Sequence, residues 1–262
     1  MAKIIAVTNQ KGGVGKTTTA INLAASMAAL DRFTLLVDID PQANASSGLG
    51  LRATSSGRLT VYDSLVNALP LWEAYSPTEL SHLKVVPSTR DLIGAEIELI
   101  GIERREFVLR ELLEPVRDMH EYVFIDCPPS LSLLTLNALV AADAVLVPLQ
   151  CEYFALEGIF ELMDTIRRVR ERFNPGLELE GVLLTMFDER TTLARQVRDE
   201  ILKHFGDKVF STIIPRNVRL GEAPSFGKPI LLYDINSKGA QAYLALAKEL
   251  LTHEKASTGS RS

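Results

Sequence analysis

At 262 residues, 47% apolar and 23% charged, the chain has the make-up of a folded domain, and nothing in its composition argues for extended disorder. That length suits a single α/β domain with a sizeable core. The net charge of -5 excludes a uniformly basic protein, but the acid is local: residues 1–150 hold 12 Lys/Arg against 17 Asp/Glu, and residues 151–262 hold 16 of each. A basic face late in the chain therefore stays open.

The opening Met-Ala-Lys-Ile-Ile-Ala-Val-Thr-Asn-Gln has only a short apolar run, which predicts a first strand over Lys3–Thr8 and lacks the apolar core of a signal peptide. No later apolar run nears the ~18 residues of a membrane span, so the expectation is a cytoplasmic protein. Directly after this strand stands Lys11-Gly12-Gly13-Val14-Gly15-Lys16-Thr17-Thr18, opening a helix predicted over Thr17–Leu30. Strand, glycine-rich turn and helix in that order are the setting of a phosphate-binding P-loop. Glycines let successive backbone N–H groups approach phosphate oxygens, and the helix N-terminus adds its dipole. Lys16 is then expected on the β- and γ-phosphates and the Thr17 hydroxyl on Mg²⁺. The loop departs from GxxxxGK[ST] at its first position: Gln10 replaces glycine, and a second lysine, Lys11, follows it.

The second predicted strand, Thr34–Asp38, runs into Asp38-Ile39-Asp40-Pro41-Gln42. Leu51–Ser81 is less regular and predicts short surface helices. Strands follow over Leu83–Pro87 and Tyr122–Asp126, the latter with the Walker B pattern of a largely apolar run ending in an aspartate that holds Mg²⁺ directly or through its water. Asp40, or alternatively Asp38, is the candidate for orienting or deprotonating an attacking water. Beyond these lie a helix over Ser132–Ala141, a strand over Ala144–Leu149, a helix over Leu156–Phe173, a strand over Leu179–Met186, a helix over Leu193–Phe205 and a strand over Val209–Ile214. A last helix is predicted over about Ala240–Leu251, giving a P-loop domain over 1–251 and a polar, flexible tail over 252–262.

Strands alternating with helices imply a doubly wound, mainly parallel α/β sheet with helices on both faces. Strands such as Val145-Leu146-Val147, apolar at consecutive positions, suit burial on both faces. Ligands of such sheets bind at strand carboxyl ends, where Asp40 and Asp126 fall. Cys127 and Cys151 form no CxxC pair and read as buried, reduced thiols. His82, His120, His204 and His253 are scattered without metal-site spacing.

Lys-Gly-Gly-x-Gly-Lys-Thr, together with the DxDPQ segment, resembles the deviant Walker A family that includes ParA, MinD and the nitrogenase iron protein. The similarity to ParA/Soj-type partitioning ATPases extends from Ile4 to about Leu250 and includes Gln150–Gly158, Gly181–Met186 and Ile214–Leu220. The resemblance implies that Lys11 reaches a partner's nucleotide in an ATP-sandwich homodimer and that Asp40 is the catalytic aspartate. It places Gly12, Gly13, Val14, Gly15, Lys16, Thr17 and Thr18 on the phosphates, Thr17 and Asp126 on Mg²⁺, and Pro215 and Asn217 on the adenine. By the same resemblance, Arg190 and Arg219 bind nonspecific double-stranded DNA, and a ParB-type protein stimulates a slow ATPase that segregates chromosome or plasmid DNA on the nucleoid.

On composition alone, the stretch from Arg190 to Arg219, with seven Lys/Arg and three Asp/Glu, reads as a solvated helix face. The alternative within the superfamily is a MinD-like membrane-positioning ATPase, which needs a basic amphipathic C-terminal segment; Thr252–Ser262 has no large apolar residue. A cluster-bearing reductase needs cysteines placed to share a cluster across a dimer, and Cys127 and Cys151 do not match them. A kinase or metabolic ligase uses related loops but does not account for the long ParA-like stretches.

Overall fold

The computed structural model describes residues 1–51 and 57–259. In chain order the elements are β1 (Lys3–Val7), α1 (Lys16–Ala29), β2 (Thr34–Asp38), α2 (Asn44–Gly48), α3 (Val61–Asn67), β3 (Ser76–Pro77), β4 (Leu83–Val86), α4 (Leu92–Glu98) and α5 (Val108–Leu113). The second half adds β5 (Tyr122–Asp126), α6 (Leu133–Ala141), β6 (Ala144–Gln150), α7 (Ala155–Arg172), β7 (Glu178–Thr185), α8 (Thr192–Phe205), α9 (Val218–Glu222), α10 (Ile230–Tyr233) and α11 (Lys238–Gly259). The strands form one sheet in the order β3-β4-β2-β5-β1-β6-β7. All neighbours pair in parallel except the two-residue β3, which runs antiparallel to β4.

Consecutive apolar residues along each strand feed two separate cores. Ile4, Ala6, Leu35, Val37, Val123 and Ile125 pack beneath α4 to α8, whereas Ile5, Val7, Leu36 and Phe124 pack against α1 and α11. This is the period-2 geometry of a strand covered on both faces. β1 lies between β5 and β6, so the chain leaves to opposite sides of β1, and the crevice at its carboxyl end is the topological switch point where ligands of such sheets bind. The P-loop occupies it.

The structure corrects two element boundaries. Val209–Ile214 is not a ladder strand: it runs beside β7 through Phe210 N to Val182 O (3.0 Å) and Ile214 N to Leu184 O (2.9 Å), with isolated bridges at Val209 and Pro215. The Glu249 carboxylate takes the N–H groups of Ser211 (2.6 Å) and Thr212 (2.9 Å), donors that a ladder would use. The last helix does not stop near Leu251 but continues as α11 to Gly259. No proline or glycine interrupts residues 252–258, and Glu254 is anchored by Lys3 (3.2 Å) and by the Tyr122 hydroxyl. Residues 260–262 of the expected tail, and 52–56 of the irregular stretch, lie outside the described residues.

Gly181 makes the edge arrangement possible. A Cβ there would stand 2.6 Å from the Phe210 ring and 2.9 Å from the Lys208 carbonyl. Gly181→Ala is expected to cost about 1–3 kcal/mol by overpacking, read as a lower midpoint in chemical unfolding. An unchanged midpoint would mean that the 208–210 segment yields freely.

Candidate active site

The P-loop backbone is set by glycines where the chain needs them. Gly13 (φ +76°) and Gly15 (φ +90°) adopt the left-handed region, which strains any side chain. Gly15 starts α1, its carbonyl accepting from Thr19 N at 2.8 Å. Two residues missed by sequence reasoning brace the loop. Asn9 accepts from Lys11 N (3.0 Å) and donates to Pro148 O on β6 (2.8 Å). Thr185, at the end of β7, donates to Val14 O (2.7 Å). Lys16 is largely buried and folds back to donate to Lys11 O (3.1 Å). Burial lowers its pKa, and the Asp126, Cys127 and Asp40 charges oppose that shift.

Two of the three candidate carboxylates sit at adjoining strand ends, Asp38 of β2 being directly opposite Asp126 of β5. Asp38 is buried and fully engaged, accepting from Ser46 N (2.8 Å), Ser46 Oγ (2.7 Å) and Asp40 N (3.1 Å). Burial pushes its pKa up to about 6, and the Ser46 and Asp40 hydrogen bonds pull against that rise. Asp40 lines the cleft; its Oδ1 accepts from Gln42 N (2.9 Å) and its carbonyl from Ser88 Oγ (2.8 Å). Ser46 Oγ in turn accepts from Ser88 N at 2.8 Å. Asp38, Ser46 and Ser88 thus form a buried scaffold that presents Asp40 to the cleft. Ser46 and Ser88 were not legible as site residues, because neither belongs to a motif.

Asp126 is different: it is buried, and neither oxygen has a hydrogen-bond partner among the described residues. Burial, reinforced by Asp38, drives its pKa well above the ordinary carboxylate range. The Thr17 hydroxyl, short of full hydrogen-bond geometry, and the Lys16 ammonium pull it back. An unpartnered buried carboxylate is costly, and a divalent cation is one partner that would satisfy it. The donor set of one buried carboxylate and the adjacent Thr17 hydroxyl, which lines the cleft, fits Mg²⁺, which takes one or two carboxylates and completes its shell with phosphate and water.

The cleft measures about 720 Å³ and is lined by Gly12, Gly13, Gly15, Lys16, Thr17, Thr18, Asp40, Pro215 and Asn217, among others. That volume suits a nucleotide-sized ligand. Asn217 spends its Oδ1 capping α9 through Arg219 N (2.9 Å), which leaves its amide N–H₂ as the group available to an acceptor in the cleft. Met186 lines the wall at φ +48°, a strained conformation of the kind found at ligand sites. Arg216 also lines it, a residue sequence reasoning passed over although it lies between the expected base contacts.

Lys11 and the two arginines lie outside this cleft wall. Lys11 Nζ is bonded to Glu152 Oε2 of its own chain at 2.5 Å, both side chains being partly exposed. Arg190 is exposed and forked onto Asp188, with Nε to Oδ1 at 2.9 Å and Nη2 to Oδ2 at 2.7 Å, a pairing that lowers the Asp188 pKa to about 2. Arg219 pairs with Glu222 (2.8 Å) and Asp234 (3.6 Å). The loop that carries Arg190 and the segment that leads into α9, which carries Arg219, adjoin at the Phe187–Pro215 bridge.

A strand-to-helix P-loop, an orphaned carboxylate at the neighbouring strand end and a cleft at the switch point define a P-loop nucleotide-binding protein. The AAA domain family matches residues 2–179. The chromosome partitioning protein ParA of Myxococcus xanthus is 58% identical over 254 residues, covering 97% of this chain and 89% of that one. The sporulation initiation inhibitor protein Soj of Bacillus subtilis is 55% identical over 250 residues, covering 95% and 98%. Among solved structures, cobyrinic acid a,c-diamide synthase of Mycobacterium smegmatis with bound ADP and magnesium superposes with a TM-score of 0.84 at 37% identity, covering 97% and 96%. The chain belongs to the ParA/Soj family of chromosome-partitioning ATPases.

Proposed function

We propose that this protein binds ATP·Mg²⁺ in the cleft beneath the P-loop, closes on it as a sandwich homodimer, binds nonspecific duplex DNA in that state, and hydrolyses ATP slowly to release it. The orphaned Asp126 beside Thr17 is the observation that carries the nucleotide reading, because neither of its buried oxygens has a hydrogen-bond partner among the described residues. A bound Mg²⁺ supplies charge neutralisation on the β- and γ-phosphates.

The chain's own residues do the rest. Backbone N–H groups of Gly12 to Thr18 cradle the phosphates, and Lys16 exchanges the Lys11 carbonyl for phosphate oxygens. Asp40, held by the Asp38-Ser46-Ser88 scaffold, orients or deprotonates the water that attacks the terminal phosphorus, and the phosphoryl group leaves ADP. Pro215 and Asn217 take the base edge. In the dimer Lys11 exchanges Glu152 for the partner's nucleotide, an exposed ion pair worth at most about 1 kcal/mol being a small barrier to that exchange.

DNA binding rests on Arg190 and Arg219, both exposed and both held by carboxylates that a phosphate can replace. Such contacts give sequence-independent, salt-sensitive affinity, doubled in extent when two subunits join. A ParB-type partner is the proposed stimulator, coupling turnover to DNA segregation on the nucleoid. The family's partitioning members favour this over a membrane role.

Arg219→Glu tests the DNA face. Binding to random-sequence duplex with ATP is expected to fail while ATPase activity persists. For the milder Arg219→Ala, the slope of log affinity on log salt is expected to fall by about 1 for each phosphate that the arginine neutralises. Undiminished binding in both variants would remove Arg219 from the interface.

A further inference from the structure

Between the P-loop and Arg190 the chain passes through one strained residue. β7 ends at Thr185, which is buried against the P-loop: its hydroxyl donates to Val14 O (2.7 Å), and a Cβ on Gly15 would stand 3.9 Å from its Cβ and Cγ2. Met186 follows at φ +48°. A residue with a side chain keeps that left-handed conformation only where its neighbours impose it.

The neighbours on both sides do so, and each belongs to the nucleotide cleft. On one side stands the Thr185 bond to the phosphate-binding loop. On the other, Phe187 is buried, its N–H donates to Ile214 O (3.2 Å), and it bridges Pro215, a residue expected at the base. Met186 itself lines the cleft, as do Thr185, Ile214 and Pro215.

Past the second clamp the chain turns directly into the segment that carries Arg190. The Asp188 carbonyl accepts from Thr191 N (3.2 Å) and Thr191 Oγ1 (2.9 Å), and its carboxylate holds Arg190 by the backbone N–H (3.1 Å) as well as by the guanidinium fork. Arg190 thus takes its position from Asp188, two residues beyond Met186. From Thr185 to Arg190 the chain spans at most about 18 Å, which leaves little slack in which a shift of the clamps could be lost.

A ligand that touches both the P-loop and the 214–217 segment acts on both clamps at once. Because the left-handed conformation must be held against its own strain, a change in either clamp tips Met186 toward an unstrained one. We infer that Met186 is the hinge of a switch between the nucleotide cleft and Arg190: nucleotide binding changes the Met186 conformation and, through Asp188, the way Arg190 is presented. The inference rests on the nucleotide-switched DNA binding proposed above and names an element that carries it.

The test compares duplex DNA affinity without nucleotide and with a nonhydrolysable ATP analogue and Mg²⁺, the analogue being shown by titration to saturate each variant. Met186→Gly takes φ +48° without strain and so removes the bias, and it is expected to shrink the ratio of the two affinities about fivefold. Met186→Leu keeps the strain and a side chain of similar size, and should hold the wild-type ratio within about twofold. An unchanged ratio in Met186→Gly overturns the hinge. So does an equal loss in both variants, because Met186 would then act through its side-chain contacts alone. Amide hydrogen exchange over 187–191 reads the hinge without DNA. In the wild type it should differ at least fivefold between the two nucleotide states, and by less in Met186→Gly; identical wild-type exchange in the two states overturns the hinge whatever the DNA result. Exchange that responds as expected in a wild type whose DNA affinity does not respond supports the hinge and shows that the DNA reading is what fails.

Discussion

Replacing Asp40 by alanine is expected to slow ATP turnover about 100- to 10,000-fold while leaving ATP binding and ATP-driven dimerisation in place. The separation follows from how the loop is held. Asp40's side chain contributes one hydrogen bond, to Gln42 N, and the segment is otherwise fixed through the Asp40 carbonyl by Ser88 and through Asp38 by Ser46. Removing the carboxylate therefore takes away the group facing the cleft and leaves its scaffold standing. Asp38 is the contrasting case: its alanine variant would strand the Ser46 N–H, the Ser46 hydroxyl hydrogen and the Asp40 N–H in the interior, each orphaned donor costing about 1–3 kcal/mol. Steady-state phosphate release and nucleotide titration of Asp40→Ala decide the matter. Joint loss of turnover and ATP binding would reassign Asp40 to structure.

Asp126→Asn is expected to stabilise the nucleotide-free protein and to abolish its stabilisation by ATP·Mg²⁺. The wild-type carboxylate is buried without a hydrogen bond beside Asp38, so its charged form opposes folding until a cation arrives. The near-isosteric amide removes that charge, for a gain of about 1–3 kcal/mol at neutral pH.

The pH dependence gives an independent check. Groups whose pKa is raised by folding bind more protons folded than unfolded, so their favourable contribution is complete below the unfolded carboxylate range near 4 and is lost as pH climbs through the folded value. Asp38, at about 6, and Asp126, raised well above normal, both act in this direction. The stability advantage of Asp126→Asn should therefore be small near pH 4–5 and grow toward neutrality, as followed by thermal unfolding without nucleotide. A variant less stable than wild type at neutral pH would show that the Asp126 charge is already compensated.

Much of this arrangement is legible in the sequence because its signals are local. The P-loop is contiguous, and both Asp40 and Asp126 follow apolar strands whose ends can be read from composition. The doubly wound sheet follows from strands with no polar face. What escapes is carried by contacts far apart in the chain. Thr185 braces Val14 across 171 positions, and Asn9 reaches Pro148 across 139. Val209–Ile214 has strand-like residues, but Glu249 intercepts its N–H groups from a helix more than 35 residues later. α11 outruns its apolar pattern because Glu254 is held by Lys3 at the opposite end of the chain. The two-residue β3 ends on Pro77 and carries no periodic signal at all.

Switching of DNA binding by the nucleotide is tested most directly by titrating random-sequence duplex with the Asp40→Ala protein in ATP·Mg²⁺, ADP·Mg²⁺ and no nucleotide, across a range of salt. The predicted result is tight binding with ATP alone, weakening steeply as salt rises. Equal affinity in all three states, or no binding in any, would contradict it.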